Sequence, residues 1–472
     1  MQILLLPGKK STASILLTWR APASIVAPYA IDDARLPLKI FTQQTKKLKA
    51  EGLWDLFIME SKLIPMLLAM RQRGVRVDLD AAERLYKKMS KRQKTLTKKV
   101  GDVHLWNARE LAPLFDKAGI KYELTPLTGA PSFTKDWLAA CPHPLAKTVH
   151  EIRHLDKLRE TFIKGVVLEG SYKGRIHCSF NQLRSDASGT ISGRFSSSNP
   201  NLQQIPARTD EGKVIRTLFL PDEEQQFGAT DFSQIEFRLL AATASTKKMP
   251  SAKPFIEAYN KDPKTDFHKV VAEMTGLPRA DAKTITFAIA YGAGAKKVAD
   301  QLGVDMEAAK ITLHEYNNKA PFMRPLSNLF MEEANDTGKI TTILGRVRRF
   351  NWWEKRRGDT KDFVPPKAVL SEDKPKGMQR AYTYRALNAY IQGSAADVMK
   401  KAMVDVWESG VTAVLGAPHL TVHDELSSSV PKTKEGMQAF KEMVHLMENA
   451  VKVSVPLIVN SGLGKNWGDA KP

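Results

Sequence analysis

Four side chains between residues 278 and 294 could together hold a phosphorylated, ring-bearing molecule: Arg279, Lys283, Phe287 and Tyr291. Each falls four residues after the last, so on a helix they form one slowly drifting stripe, two cations followed by two aromatics. Guanidinium and ammonium groups suit phosphate oxygens, and aromatic faces suit a flat ring. Pro278 suits a first helical position, Gly292 and Gly294 suit a stop, and Ala282, Ile285 and Ile289 give the opposite side a core-facing surface. Taken alone, such a helix reads more readily as a solvated basic turn followed by two core aromatics. Acidic residues carry a second chemistry. Asp231 ends a run, 227–232, that reads as a buried strand before the helical pattern of Ile235, Leu239 and Leu240, and Asp424 and Glu425 occupy an acidic turn between two short strands in 419–430. Carboxylates at two strand ends can converge although far apart in sequence, whereas a lone Asp at a strand end is ordinarily a turn or cap residue.

A chain of 472 residues with 43% hydrophobic side chains is long enough to build a sizeable core and two to four structural domains around such groups. Lys and Arg total 71 against 51 Asp and Glu, a net charge of +20 that favours polyanionic partners such as nucleic acid. Cys141 and Cys178 are the only cysteines and neither sits in a Cys/His cluster, so a disulfide framework and a zinc site are both disfavoured. No run approaches the roughly 18 apolar residues of a membrane span. Residues 3–6 are too short and unflanked for a signal peptide. A soluble, cytoplasmic protein is expected.

Apolar spacing predicts helix over about 53–85, interrupted by a turn and short extended piece at 73–78, with Asp78 or Asp80 able to cap the helix that follows. Between Lys87 and Lys99 there are seven basic residues and no acidic one, a pattern that suits either a solvated helix face or a surface tracking phosphates. A second basic helix carries Arg153, Lys157 and Arg159. Residues 174–180 read as a strand, and 189–206 as a polar, turn-rich loop with one Arg and several amides, the side chains that contact bases, sugars and phosphates. Residues 352–380 are charged, Pro-containing and aperiodic, which predicts an exposed loop. Strong helix returns over 384–407, with Asn388 and Gln392 one turn apart on one face.

In this order along one chain, the segments resemble the polymerase domain of family A DNA polymerases, the DNA polymerase I type, and are most similar to its bacteriophage branch. The resemblance covers roughly 53–470. Asp231-Phe-Ser-Gln-Ile-Glu236-Phe-Arg238 resembles the family's first catalytic motif, Arg279 through Gly292 its nucleotide-binding helix, and Val422-His423-Asp424-Glu425-Leu426 its third motif. Ser192-Gly193-Arg194-Phe-Ser-Ser and Pro200-Asn201-Leu-Gln203 resemble the primer-template segment. The resemblance implies a right-hand α/β (α+β) fold with an antiparallel palm sheet, helical fingers and a helical basic thumb. Its implied divisions are a 1–52 remnant of the end of a 3′–5′ exonuclease-like domain, 53–170 for the linking helix and thumb, 171–243 and 384–472 for the two parts of the palm, and 244–383 for the fingers. The implied activity is template-directed extension of a DNA primer with dNTPs, in viral DNA replication.

The same resemblance gives each residue a role. Asp231 and Asp424 match the two metal-binding aspartates, where two Mg²⁺ ions per active site activate the primer 3′ hydroxyl and stabilise leaving pyrophosphate. Oxygen donors suit such a hard ion. Glu425 matches a catalytic acid that acts on the metals directly or through the groups around them. Glu236 matches the residue that blocks a ribose 2′ hydroxyl. Arg279 and Lys283 match triphosphate ligands, Phe287 and Tyr291 the residues stacking near the incoming base, and His268 a further phosphate contact, though a structural histidine fits that position nearly as well. Arg194, Asn388 and Gln392 match minor-groove contacts that check pair geometry without reading sequence. Asn201 and Gln203 belong to the same DNA-binding segment, His423 neighbours the primer terminus, and Arg153 and Lys157 approach the DNA backbone.

Departures from the family pattern are local. Thr286 and Ala288 stand where Asn and Gly are common, a change to packing that leaves the stripe intact. Tyr384 occupies the place of a usual Arg, with Arg385 beside it, so that role is not transferred. Tyr29-Ala-Ile-Asp32-Asp33 resembles the last motif of the 3′–5′ exonuclease domain, yet residues 1–28 hold no counterpart of its two upstream acidic motifs. The expectation is a polymerase without proofreading in this chain, either a truncated gene product or one part of a split enzyme whose exonuclease is a separate polypeptide. Its partners are then primer-template DNA and dNTPs, with a separate exonuclease subunit or a processivity factor as further candidates. Two alternatives stay open at this point. A single-subunit RNA polymerase shares the palm and a similar helix, and Glu236 argues against it; a non-catalytic DNA-binding replication factor is disfavoured by the two intact aspartates.

Overall fold

The structure, a computed structural model, describes residues 22–101, 103–183, 189–207, 209–249, 252–290, 294–319, 322–355 and 378–471. The chain divides into two compact units between Ile58 and Met59. Within the first, the helix Ala23–Ala50 has no buried residue. It ends on Lys47 and Lys49, cations that suit the negative end of a helix dipole. Tyr29, Asp32 and Asp33 all lie exposed along it.

The second unit is organised by a four-stranded antiparallel sheet in the order Leu420–Val422, Glu425–Val430, Gln226–Phe232, Val459–Gly464. The central strand Gln226–Phe232 is buried on both faces. Phe227 and Ala229 join a cluster with Val75, Phe219, Leu420, Val422 and Trp467. On the opposite face Gly228 lets the helix Lys434–Glu448 approach closely, since a Cβ there would lie 2.7 Å from Val430 and 2.8 Å from Phe440. A longer helix, Ala386–Glu408, packs against both Lys434–Glu448 and Ile235–Thr246. It is buried nearly all round, Asp397 and Lys400 included.

A smaller antiparallel sheet joins Ser171–Tyr172, Arg175–Ile176, Val75–Val77 and Phe219–Leu220. The stretch expected to be one strand over 174–180 is two, because Arg175–Ile176 pairs with Val75–Val77 whereas Ser179–Asn181 pairs with Ser196–Ser198. Beyond the small sheet, Asp78 caps Leu79–Val100 by accepting from Ala81 N at 2.8 Å. That basic helix packs on Pro144–Asp156 and on its π-helical continuation Lys157–Leu168. Val100, Leu111, Phe115, Phe133 and Ile152 form a separate cluster at its far end. The α-helices Lys253–Lys261, Phe267–Thr275, Arg279–Ala290, Ala295–Leu302, Met306–Lys319 and Met323–Thr337 make up the remaining helical region.

Two local expectations shift. The helix carrying the stripe begins at Arg279, and the Pro278 carbonyl accepts from Ala282 N at 2.9 Å, so Pro278 sits just before the first turn instead of in it. The ends of the predicted 352–380 loop pair as strands, Trp353–Lys355 with Met378–Arg380, and Arg380 lies 4.4 Å over the buried Trp353 ring. Residues 356–377 lie outside the described residues.

Candidate active site

Antiparallel pairing sets Asp231 opposite Glu425 on one side and Asn460 on the other. Directly opposed residues point to the same face of a sheet, so the three side chains share one face at the strand ends. Asp424 follows from the hairpin between Leu420–Val422 and Glu425–Val430. Val422 pairs with Glu425, leaving a two-residue turn in which His423 takes a left-handed φ of 58°. The Asp424 carbonyl accepts from Phe232 N at 3.2 Å, which locks the turn onto the Asp231 strand.

The site is electrostatically loaded. Burial first, then the charges of Asp424 and Glu425, push the Asp231 carboxyl up to about 7. Asp424 is pushed up to about 6, mainly by burial, with Arg194 pulling down and Glu236 pushing up. Asp424 Oδ1 is buried and has no hydrogen-bond partner among the described residues. Crowded carboxylates with an orphaned buried oxygen are what a hard divalent cation would relieve. Among the described residues no group of three or more His, Cys, Asp or Glu side chains could hold a metal ion by itself. An ion at Asp231 and Asp424 would therefore take its other ligands from backbone carbonyls, water or a bound substrate.

That loading has a consequence for the metal-free protein. A carboxyl near 3.8 when unfolded but about 7 when folded binds protons more readily in the native state, so its contribution to stability falls as pH rises from about 4 to about 7 and is fully adverse above that. Asp231→Asn should raise the melting temperature in chelator at pH 8 by a few degrees, for a gain of about 2 to 4 kcal/mol at most. The advantage should shrink as pH falls towards 5. His268, held down at about 4, and His419, at about 3, act in the opposite sense, but equally in both proteins. An Asn variant no more stable than wild type at pH 8 would contradict the account.

Glu425 is tied from behind. Trp467 Nε1 donates to its Oε1 at 2.7 Å and Ser427 Oγ donates at 3.0 Å, while Arg216 lies 3.9 Å from Oε2 and 3.9 Å over the Trp467 ring. These contacts orient the carboxylate and make it a neighbour of the aspartate pair through the sheet. Arg194 donates to Glu236 at 2.6 Å and stands 3.9 Å from Asp424 Oδ2. Arg194, Glu236 and Asp424 thus form one contiguous group.

Gln234 joins this sheet to the stripe-bearing helices. With φ at 52° it accepts from Phe267 N at 3.0 Å and donates to Thr265 O. Asp266 caps Phe267–Thr275 through His268 N at 2.9 Å and also accepts from Arg279 Nε at 2.9 Å. Lys283 is exposed. Phe287 stacks edge-on against Phe237 with centroids 4.9 Å apart. His268 is buried against Phe237, centroids 4.4 Å apart, and burial, reinforced by Lys283 and Arg279, keeps it neutral. Thr286 bonds Tyr316 Oη at 2.9 Å on the buried side, and Ala288 is buried too, so both departures sit in packing away from Lys283. Tyr291 lies outside the described residues.

Other DNA-contact candidates divide into structural and open groups. Asn201 accepts from Gln203 N at 3.1 Å and from Ser197 Oγ at 2.9 Å, and Gln203 Nε2 donates to Thr421 O at 3.1 Å, so this pair pins the 196–204 segment to the hairpin strand. Arg153 donates from Nη1 to Phe133 O at 2.7 Å and from Nε to Leu105 O at 2.7 Å, and stacks 5.1 Å over Trp106. Its guanidinium is engaged inside the helical region, whereas Lys157 is exposed. Asn388 and Gln392 are half-buried on one face of Ala386–Glu408, and His423 is exposed at its turn. The roles of Trp467, Arg216 and Gln234 had no signal in local sequence, because their partners come from distant segments.

Residues 79–469 match the model of the family described as DNA polymerase family A. The chain is 32% identical to a DNA-directed DNA polymerase of Pseudomonas phage M6 over 95% of its own length and 71% of that protein. It is 30% identical to DNA polymerase DpoZ of Salmonella phage PMBT28, over 96% of this chain and 75% of the other. Among solved structures it is similar to the polymerase domain of Pol1 from M. smegmatis in complex with primer-template DNA and dNTP, with a TM-score of 0.75 and 27% identity over 90% of this chain and 73% of that one.

Proposed function

The chain belongs to DNA polymerase family A, and from that premise we propose how its own residues divide the work of extending a DNA primer on a template. It is a template-directed DNA polymerase of the right-hand fold, similar to phage enzymes. The single observation that carries the assignment of roles is the convergence of Asp231 and Asp424 at one sheet end beside the Arg194–Glu236 pair. Family A polymerases use divalent metal ions. Here we assign two Mg²⁺ to Asp231 and Asp424, where they would supply Lewis-acid activation of the primer hydroxyl and neutralise charge on the leaving group.

The remaining chemistry falls to side chains. Lys283 and Arg279 bind the triphosphate, Arg279 by leaving its bond to Asp266. Neutral His268 can donate an N–H hydrogen bond to a phosphate oxygen without adding charge. Phe287, with Tyr291 beyond it, offers the apolar surface against which the incoming base stacks. Glu236, oriented by Arg194, occupies the space a ribose 2′ hydroxyl would need. Arg194, Asn388, Gln392 and His423 contact the end of the nascent duplex, with Asn201 and Gln203 shaping the strand they lean on. Lys157 and the basic face of Leu79–Val100 follow the backbone, a contact that weakens as salt rises. Arg153 supports that surface from within. In domain terms, 53–170 serves as thumb, 171–243 and 384–472 as palm, and 244–383 as fingers, preceded by the exonuclease-like remnant 1–52.

Primer extension on a primed template tests the assignment. The wild-type chain should require Mg²⁺ and prefer dNTPs. Glu236→Ala should reduce its preference for dNTPs over rNTPs by about tenfold or more while extension with dNTPs persists. Unchanged sugar selectivity would remove Glu236 from its role, and efficient use of rNTPs by the wild type would favour the RNA polymerase reading. A mismatched primer end should remain untrimmed when this 472-residue chain is assayed by itself. Among the described residues no helix is long and apolar enough to cross a membrane, and the setting we propose is the host cytoplasm.

A further inference from the structure

Behind Arg194 lies a buried charge network that the polymerase assignment does not use. Glu60, Arg346, Asp397 and Lys400 come from the helix Trp54–Arg73, the turn after Lys339–Thr341 and the helix Ala386–Glu408. Arg346 Nε donates to Asp397 Oδ1 at 2.7 Å and its Nη2 to Glu60 Oε1 at 2.6 Å. Lys400, fully buried, donates to the same Glu60 oxygen at 2.6 Å and to Gln182 O at 3.1 Å. Thr342 Oγ1 donates to Asp397 and accepts from Arg346 N at 3.0 Å. Two anions and two cations balance in a site where an unpaired charge would be severely penalised.

Gly193 and Phe195 touch this network, and Ser192 passes over the helix that carries Asp397 and Lys400. The Ser192 carbonyl would lie 3.5 Å from a Cβ at Gly393, so it crosses directly over the buried helix. Gly193, with φ at +84°, is pressed so close that a Cβ would meet Arg346 Nε at 2.6 Å. The Phe195 ring lies 5.1 Å from the Lys400 ammonium. Between these contacts Arg194 projects the other way, to Glu236 and towards Asp424. We propose that Arg346, braced by Glu60 and Asp397, is a positioning residue for Arg194, and through it for scrutiny of the primer-terminal pair and the incoming sugar. This rests on the duplex and sugar roles given to Arg194 and Glu236 above.

The test is a double-mutant cycle on the full chain, with single-turnover extension measured from matched and mismatched primer ends and with dNTP against rNTP. Arg346→Lys keeps the buried charge and removes the planar guanidinium under Gly193. Gly193→Ala instead sets a Cβ against the Arg346 side chain at a left-handed φ, which parts the segment from the guanidinium. Each variant should remain folded by melting curves, yet lose about tenfold in preference for a matched end and shift in sugar selectivity. In an Arg194→Ala background the same changes should alter match preference less than about twofold, the signature of coupled sites. Equal effects with and without Arg194, or intact selectivity in both folded variants, would overturn the inference. If Arg194→Ala alone leaves match preference unchanged, the duplex role of Arg194 falls and the inference falls with it; loss in Arg194→Ala without loss in the other two variants overturns the inference alone.

Discussion

Asp424→Ala should reduce primer extension by about a thousandfold or more, since a lost catalytic metal site forfeits several kcal/mol of transition-state stabilisation. DNA binding should persist or tighten slightly, because the substitution removes a negative charge near a polyanion. Stability separates this from a structural defect. Asp424 Oδ1 has no hydrogen-bond partner among the described residues and its carboxyl is pushed up to about 6, so its removal breaks little and relieves crowding with Asp231 and Glu236. The variant should melt no lower than wild type in chelator. Extension within about tenfold of wild type, with DNA binding intact, would remove Asp424 from the metal site and leave it a structural residue of the turn.

What was legible in sequence was local. Asp231 could be placed because a short buried strand turns directly into a helical pattern, and Asp424 because an acidic turn separates two strand patterns. Those signals need only neighbours. Which groups then surround them depends on partners that local patterns do not name. Trp467 and Arg216 reach Glu425 from separate segments, and Asp397 and Lys400 lie inside a helix buried nearly all round, where charges ordinarily signal a solvated face. Residues 174–180 have continuous strand alternation, yet the hydrogen-bonding partner changes midway from Val75–Val77 to Ser196–Ser198. Periodicity reports which face is apolar and is silent about which strand supplies the ladder. The stripe was legible as a face and ambiguous as a site, since its two cations look alike in sequence while the fold treats them differently.

That difference makes Lys283 the sharper probe of triphosphate binding. Arg279 is paired with Asp266, which also caps Phe267–Thr275. Arg279→Ala therefore mixes a lost phosphate contact with a loosened link between two helices. Lys283 has no comparable structural duty in the bonds described, and it is exposed whereas Ala282, Ile285 and Thr286 are buried. Lys283→Ala should lower kcat/KM for the incoming dNTP by about thirtyfold to a thousandfold, the range for losing a charge-assisted contact of about 2 to 4 kcal/mol. The melting temperature and affinity for primer-template should stay near wild type. Lys283→Arg should recover part of the loss, since a guanidinium keeps the charge while changing its reach. Unaltered nucleotide kinetics in Lys283→Ala would return Lys283 to a solvated surface residue, leaving Arg279 and His268 to hold the triphosphate without it.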